Sequence, residues 1–391
     1  MIPYGRQSIN DDDVKAVVDA LTSDWLTQGP AVPRFEEALC AATGAAHAVA
    51  VTNATSALHL ACLAIGLGPG DIAWTVPNTF VASANCILYC GATVDFVDID
   101  PLTYNMSVSA LQAKLERAKE EGRLPRVVIP VHFAGHSCDM AAIGALSEEY
   151  GFHVIEDAAH AIGGSYDNRP VGDCRHSDIT VLSFHPVKII TTGEGGATLT
   201  QSPVLAERMR LLRTHGISRE TRNLDAAHAG AWYYEQQALG FNFRMTDLQA
   251  ALGASQMTRL GEFIGRREVL AARYDEALES LPLARPPREA NIRSAWHLYA
   301  VQLDDGHEEA PESHGAFRER VFNDMRAAGI GVNVHYIPVH WQPWYRALGF
   351  RPGDFPVAER YYRRTLSLPL FPGLTHDDQD RVVEALSEAL T

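Results

Sequence analysis

Apolar residues along the chain recur first at helical spacing. Val14, Val17, Val18 and Leu21 stand three or four positions apart or adjacent. The spacing predicts an amphipathic helix over 11–23, capped by Asn10 and with Asp11, Asp12 and Asp13 near the favourable end of its dipole. A second helical pattern over 32–44 leads into an apolar run at 47–52. Helical periodicity then resumes over 56–65 until Gly66, Gly68 and Gly70 interrupt it. This stretch reads as strand, tight turn, helix. The alternation continues, with strands expected over 72–76, 93–97, 127–131 and 152–156 and helices over 81–90, 108–121 and 140–150. Strands separated by helices predict a largely parallel sheet covered by helices, and uncharged runs such as Val127-Val128-Ile129-Pro130-Val131 suit buried strands. Two more strands, over 178–184 and 196–200, are joined by a Gly-rich turn and are expected to run antiparallel.

From Leu248 the rhythm changes. Residues 248–278 form one long amphipathic helical pattern with little turn material before Pro282, as a connector between domains would. A strand over 296–303, a helix over 316–329 and a terminal helix over 377–390 follow, and 305–314 is polar enough for an exposed loop. The expected division is a large domain over 1–247, including the first helix, and a connector helix with a smaller C-terminal α+β domain over 248–391.

Composition narrows the function classes. A chain of 391 residues with 46% hydrophobic and 21% charged positions can bury a large core, unlike a disordered chain. Acids outnumber Lys plus Arg by 48 to 33, for a formal charge of -15, so nucleic acid is not an expected partner. A single phosphate stays possible, because backbone donors act at short range. No run approaches a membrane span. The six cysteines are scattered, and MIPYGRQSINDDD contains no basic and apolar leader, so the expected compartment is a reducing cytoplasm.

The residues able to carry chemistry cluster in the middle of the chain. Asp157 ends the apolar run Val154-Ile155-Glu156-Asp157, the usual ligand edge of an open α/β sheet. Lys188 follows the next strand in Ser183-Phe184-His185-Pro186-Val187-Lys188 and precedes two isoleucines. An amine desolvated there is a candidate nucleophile. Pyridoxal phosphate needs this pairing, an amine to anchor its aldehyde and a carboxylate to keep its ring nitrogen protonated. On residue types alone, a turn acid and a surface lysine are the more ordinary explanation of the pair. Asn53-Ala54-Thr55-Ser56-Ala57, between a strand and a helix, offers small residues, hydroxyls and a helix start to a phosphate, or else is an ordinary cap. His132, His136 and Cys138, with Cys174 and His176, imitate a zinc set without forming a closed signature, so no metal is expected. Cys86 and Cys90 read as small buried hydrophobes, and His340, Trp341, Trp344 and Tyr345 as either a ligand rim or packing.

Several longer stretches together resemble the DegT/DnrJ/EryC1-type sugar aminotransferases. They include SDWLTQGPAVPRFE, TNATSALHLA, PNTFVASANCILYCGATVDFVDID, PVHFAGHSCDM, VIEDAAHAIGG, SFHPVKIITTGEGG, LGFNFRMTDLQAALG and HYIPVH, and nearly the whole chain takes part. The likeness is strongest to the branch of that family serving pseudaminic acid biosynthesis. It implies an α/β fold of pyridoxal-phosphate fold type I, aspartate aminotransferase-like, with a large mixed, mostly parallel sheet and a smaller C-terminal α+β domain.

By the same resemblance, Lys188 is the Schiff-base lysine and proton shuttle, and Asp157 pairs with the pyridinium nitrogen. Phe80 packs on the cofactor ring, and His160 lies beside the ring or its phenolic oxygen. Thr55, Ser56 and Ser183 bind the phosphate, and Asn242 reaches the phosphate of the neighbouring subunit in a homodimer with shared active sites. Trp25, Leu26, Thr27, His335 and Tyr336 line the sugar-nucleotide pocket. The expected reaction moves an amine from glutamate to C4 of UDP-2-acetamido-2,6-dideoxy-beta-L-arabino-hexos-4-ulose, giving UDP-4-amino-4,6-dideoxy-N-acetyl-beta-L-altrosamine. Amination of another UDP-4-keto-6-deoxy-N-acetylhexosamine stays open, as does a non-catalytic cofactor-binding or scaffolding role.

Overall fold

The computed structural model describes residues 1–219, 230, 232–304 and 311–391. Seven strands build the central sheet: β1 (His47–Val51), β2 (Ile72–Thr75), β3 (Thr93–Phe96), β4 (Val127–Val128), β5 (His153–Asp157), β6 (Ile179–Ser183) and β7 (Gly196–Thr200). Their spatial order is β1-β7-β6-β5-β4-β2-β3. The run from β6 to β3 is parallel, and β7 is antiparallel to both of its neighbours, as the short Gly-rich turn before it predicts. The sheet is buried on both faces, with Val49, Val51, Ile129 and Ile155 in one apolar cluster and Ala48, Ala50, Leu182 and Ala197 in another. Such burial explains why these strands read as continuous apolar runs rather than alternations. β4 stops short of the expected 131 because Pro130 has no N–H to donate to a neighbouring strand.

The topology brings several chain ends to one edge. Because β7 runs antiparallel, its first residue, Gly196, registers with the last residues of both β1 and β6, Val51 and Ser183. Helix α1 (Asp11–Leu21) and helix α2 (Ala31–Thr43) precede the sheet, and α3 (Ala54–Ile65) starts directly beyond β1. A Cβ on Gly196 would stand 2.5 Å from Ala54 N, so a glycine is required for the start of α3 to close over the edge. Helix α4 (Ala82–Tyr89) begins near the same edge after β2.

A second, smaller sheet lies beyond. It comprises β8 (Leu283–Ala284), β9 (Tyr299–Leu303) and β10 (Thr365–Leu368), all antiparallel. Leu270, Tyr274, Tyr299, Val321, Leu366 and Leu386 form its own core. Ile2 also packs there and bridges to Ile330, although it belongs to the opening of the chain.

Three sequence expectations change. The long helical pattern is two helices, α5 (Asp247–Met257) and α6 (Leu260–Ala277). At the break Thr258 Oγ1 donates to Ser255 O at 2.7 Å, competing with the helical ladder, and Arg259 turns toward Asp13. The apolar stripe of α1 points outward, leaving Val14, Val18 and Leu21 exposed, while Asp13 is wholly buried. Asp13 is drawn inward because it accepts from Ser255 Oγ at 2.6 Å and Gln256 Nε2 at 2.7 Å and pairs with Arg259. Of the expected loop over 305–314, residues 305–310 lie outside the described residues, and the remainder begins the helix Pro311–Ala327.

Asp13→Ala leaves Arg259 without its counter-charge and strips three further donors, Asn10 N–H, Ser255 Oγ and Gln256 Nε2, of their acceptor. Chemical denaturation should show a loss of about 3 kcal/mol; a loss below about 1 kcal/mol would mean that this cluster does not hold α1 in place.

Candidate active site

The ends of β1, β5 and β6, the loop before α4 and residues 333–336 wall one cavity of about 1070 Å³. That is at or above the upper end of the roughly 300–1,000 Å³ of small-molecule sites, and it leaves room for a cofactor together with a large ligand. Asp157 is buried at the end of β5. Its carboxylate accepts from Ser83 Oγ at 2.6 Å and from Ala159 N–H at 3.1 Å. Since Ser83 must donate to the carboxylate, it accepts in turn from Thr79 Oγ1, 2.8 Å away. The loop before α4 and the first turn of that helix thus fix the Asp157 carboxylate, and the four-residue interval between Thr79 and Ser83 is the local sequence signal of the pair.

Lys188 stands in the turn after β6, where its N–H donates to His185 O at 2.9 Å. Burial lowers its amine to about 8, against the opposing pull of the Asp157 carboxylate. Three imidazoles surround it. His160 and His297 are held well below the ordinary histidine range, and His335 falls to about 3, in each case chiefly through burial and also through the nearby Lys188 charge. All three are therefore neutral. His335 Nδ1 lies 2.8 Å from Ser367 Oγ, which anchors this ring to β10 of the small sheet. His297, absent from the sequence candidates, packs its ring centroid 4.4 Å from that of His160.

At the other end of the cavity, Asn53 caps α3 by accepting from Ser56 N–H at 2.8 Å. The helix start leaves its first N–H groups without intrahelical partners, and the Thr55 and Ser56 side chains stand beside them along the cavity wall. Ser183, Phe80, Tyr336 and His335 line the same space. The Phe80 ring is 60% exposed, with its centroid 6.5 Å from that of Tyr336.

Four of the expected residues stand outside this chain's own cavity. Trp25 and Leu26 are exposed, and Thr27 bridges to Thr246. Asn242 is exposed on a segment bridged to Thr214, with Phe241 and Phe243 on either side of it packed near His59.

The zinc-like residues are dispersed among other partners. His132 Nε2 meets Glu156 at 2.7 Å, His136 Nε2 meets Glu289 at 3.0 Å, and Cys174 lies against Thr180. Among the described residues no group of three His, Cys, Asp or Glu side chains is arranged to hold a metal ion. Cys86 and Cys90 are buried, as small hydrophobes would be. In the second cluster His340 is buried against Glu359 at 2.9 Å and Tyr345 Oη donates to Asn85 at 2.6 Å, neither reaches the cavity, and Trp344 is exposed.

Residues 7–387 match the model of the DegT/DnrJ/EryC1/StrS aminotransferase family. The chain belongs to that family. It is 41% identical over 390 residues to the spore coat polysaccharide biosynthesis protein SpsC of Bacillus subtilis, covering 99% of this chain and 96% of that protein. Among solved structures it superposes with a TM-score of 0.90 and 28% identity on Helicobacter pylori PseC, an aminotransferase involved in the biosynthesis of pseudoaminic acid, over 100% of this chain and 99% of that one. A putative sugar aminotransferase from Streptococcus pneumoniae, Spr1654 in its PMP form, matches with the same TM-score, identity and coverage. The protein is thus a pyridoxal-phosphate-dependent sugar aminotransferase with the type I fold.

The donor set fits the cofactor. A depressed amine, a buried carboxylate fixed by two donors, and a helix start brought close by Gly196 face one space. Among the described residues no helix is long and apolar enough to cross a membrane.

The low value of Lys188 has a stability consequence. Between about 8 and 10.5 the cofactor-free folded state binds fewer protons than the unfolded chain, so stability rises with pH across that window. Below it both states are charged and the full desolvation cost is present. Cofactor-free Lys188→Met should therefore be more stable than the cofactor-free parent by about 3 kcal/mol at neutral pH, with the advantage fading as pH climbs through the window. Equal unfolding profiles at all pH values would show that the amine is not desolvated.

Proposed function

We propose that the protein transfers the amine of glutamate to C4 of a UDP-4-keto-6-deoxy-N-acetylhexosamine, within pseudaminic acid biosynthesis. The observation that carries this reading is the convergence of Lys188, Asp157 and the start of α3 on one cavity large enough for a nucleotide-linked sugar. When bound, pyridoxal phosphate supplies an aldehyde for covalent anchoring and a ring that accepts carbanion charge. The chain's own residues supply the rest. Asp157 would pair with the ring nitrogen. Thr55, Ser56 and Ser183 would hold the phosphate, and Phe80 and His160 would pack beside the ring. An amine titrating near 8 is partly neutral at cytoplasmic pH, so Lys188 Nζ can take a proton from glutamate Cα and later deliver one to sugar C4. The net exchange leaves 2-oxoglutarate and the 4-amino sugar.

The substrate pocket on this reading is completed across a homodimer. Support comes from the outward apolar residues Val14, Val18, Leu21, Trp25 and Leu26, an unusual row for a chain working alone. Exposed Asn242 fits a contact to the neighbouring phosphate, and Trp25, Leu26 and Thr27, outside this chain's cavity, fit a neighbour's sugar pocket. His335 and Tyr336 serve the sugar from within the chain. We also divide the chain at 247/248 into a cofactor-binding domain and a connector with a smaller domain, a division supported by the separate core of the small sheet, although Ile2 crosses it.

A second reading has its own support. The Bacillus subtilis relative is more similar in sequence than PseC and is named for spore coat polysaccharide biosynthesis, which favours a differently configured ketosugar for a surface polysaccharide.

Purified holoenzyme given glutamate and a panel of UDP-4-keto-6-deoxy-N-acetylhexosamines decides between them. Conversion of the arabino-configured ketone to the altrosamine product is expected, and conversion of only the gluco-configured ketone would overturn the pathway. Lys188→Ala should lower turnover by about a thousandfold or more; retained turnover would remove Lys188 from its role.

A further inference from the structure

The segment Phe133-Ala134-Gly135 carries two consecutive left-handed residues, with φ +57 at Ala134 and φ +97 at Gly135. Such a conformation is costly for alanine and persists where surrounding contacts enforce it. Here they do. Ala134 O accepts from His297 N–H at 2.9 Å, and Gly135 O accepts from Ala295 N–H at 2.9 Å. A Cβ on Gly135 would stand 2.9 Å from Trp296 N and 3.0 Å from His160 O, so the turn is wedged between two backbone segments. Buried Asn105 braces it from behind, accepting from Phe133 N–H at 2.9 Å and donating to His136 O at 2.9 Å.

The product of this turn is one directed N–H. Ala134 N–H donates to His160 Nδ1 at 3.2 Å, and a backbone N–H can only donate. The Nδ1 lone pair is thereby taken, and the single proton of a neutral imidazole resides on Nε2. His160 Nε2 lies 3.2 Å from Tyr336 Oη, with the two rings stacked at 24°. Nε2–H therefore donates to the Tyr336 oxygen and leaves the phenolic hydrogen free. Among the described residues His160 is the hydrogen-bond partner of that hydroxyl, and Tyr336 lines the cavity.

We propose that the left-handed turn at Ala134 and Gly135 fixes His160 in its Nε2-protonated tautomer and so commits the Tyr336 hydroxyl to donate to an acceptor oxygen of the bound substrate. The substrate part rests on the aminotransfer reading above. His160 and Ala134 are positioning residues here, and Tyr336 is the residue that selects a carbonyl, hydroxyl or carboxylate oxygen over a group that can only donate. The groups facing His160 hold it neutral. Lys188 and His335 adjoin it in the cavity, and the His297 ring covers it, with the buried guanidinium of Arg267 behind that ring. Tyr336 retains its hydrogen, its titration pushed upward by burial and then by the Asp157 carboxylate.

Ring-nitrogen NMR of holoenzyme carrying 15N-labelled histidine reads the tautomer, with His160→Gln supplying the assignment. The expected spectrum shows the proton on Nε2 from about pH 6 to about pH 9, in the parent and in Tyr336→Phe alike. A proton on Nδ1, or a doubly protonated ring at neutral pH, overturns the tautomer. Ala134→Val, which resists the left-handed turn, should admit the Nδ1 form if it folds; a folded variant with unmixed Nε2–H overturns the role of the turn. Equilibrium titration with glutamate and with the UDP-4-keto sugars tests the donor. Tyr336→Phe should weaken at least one of them by about tenfold, and unchanged affinity for both overturns the donation. If no ketosugar is turned over, the substrate reading fails while the NMR spectrum and the glutamate titration still judge this proposal.

Discussion

Desolvation around Lys188 sets the conditions under which the other groups in the cavity work. Water would hold the amine protonated near its ordinary value and would let each neighbouring imidazole titrate near neutrality. Removed from water, the amine falls to about 8, and its residual charge helps to suppress protonation of His160, His297 and His335. Burial, with this one cation beside it, thus keeps three potential cations neutral. Asp157 is the counterweight: its carboxylate is fixed by Ser83 Oγ and Ala159 N–H and partly sustains the lysine charge.

That balance depends on backbone geometry at the sheet edge. The antiparallel strand β7 ends the parallel run and lets β1 and β6 finish side by side, with the side-chain-free Gly196 between them. The start of α3 consequently lies across the edge from the lysine turn, and its unpaired N–H groups offer positive potential to an anion. The net charge of -15 does not bear on this, because the field at a helix start is local whereas a net charge is summed over the whole chain. Residues 333–336 close the cavity from the side of the small sheet through the contact of His335 with Ser367, so both cores contribute to one site.

Much of the fold was legible in the sequence, since strands buried on both faces must be apolar throughout and helices between them must keep a 3.6-residue period. β1, β5, β6 and β7 and helices α1 to α4 fall where periodicity predicts them, within a residue or two at each end. The failures have identifiable causes. The pattern of α5 and α6 is continuous in hydrophobicity, but the Thr258 and Arg259 side chains break it through bonds to partners the pattern does not encode. In α1 the apolar period is real while its burial is not, because Asp13 has a buried cluster of partners about 240 residues away in sequence. The same limit applied at the site. Lys188 and Asp157 were recognisable from strand-end position and family motif, whereas Ser83 and His297 gain meaning only from contacts made across the fold.

By itself, therefore, the sequence determined the class of the sheet and the family and pointed to the candidate amine and carboxylate, because each is written in local order: apolar runs, punctuation by glycine, and contiguous motifs. Tertiary structure decided what those groups can do. Electrostatic strength depends on how much water is excluded, and hydrogen-bond direction depends on which partner is fixed. Neither quantity exists until strands, turns and distant helices pack together. The alanine at position 134 shows the difference most plainly: in sequence it is one small residue among many, and in the fold its N–H sets which nitrogen of His160 carries the proton.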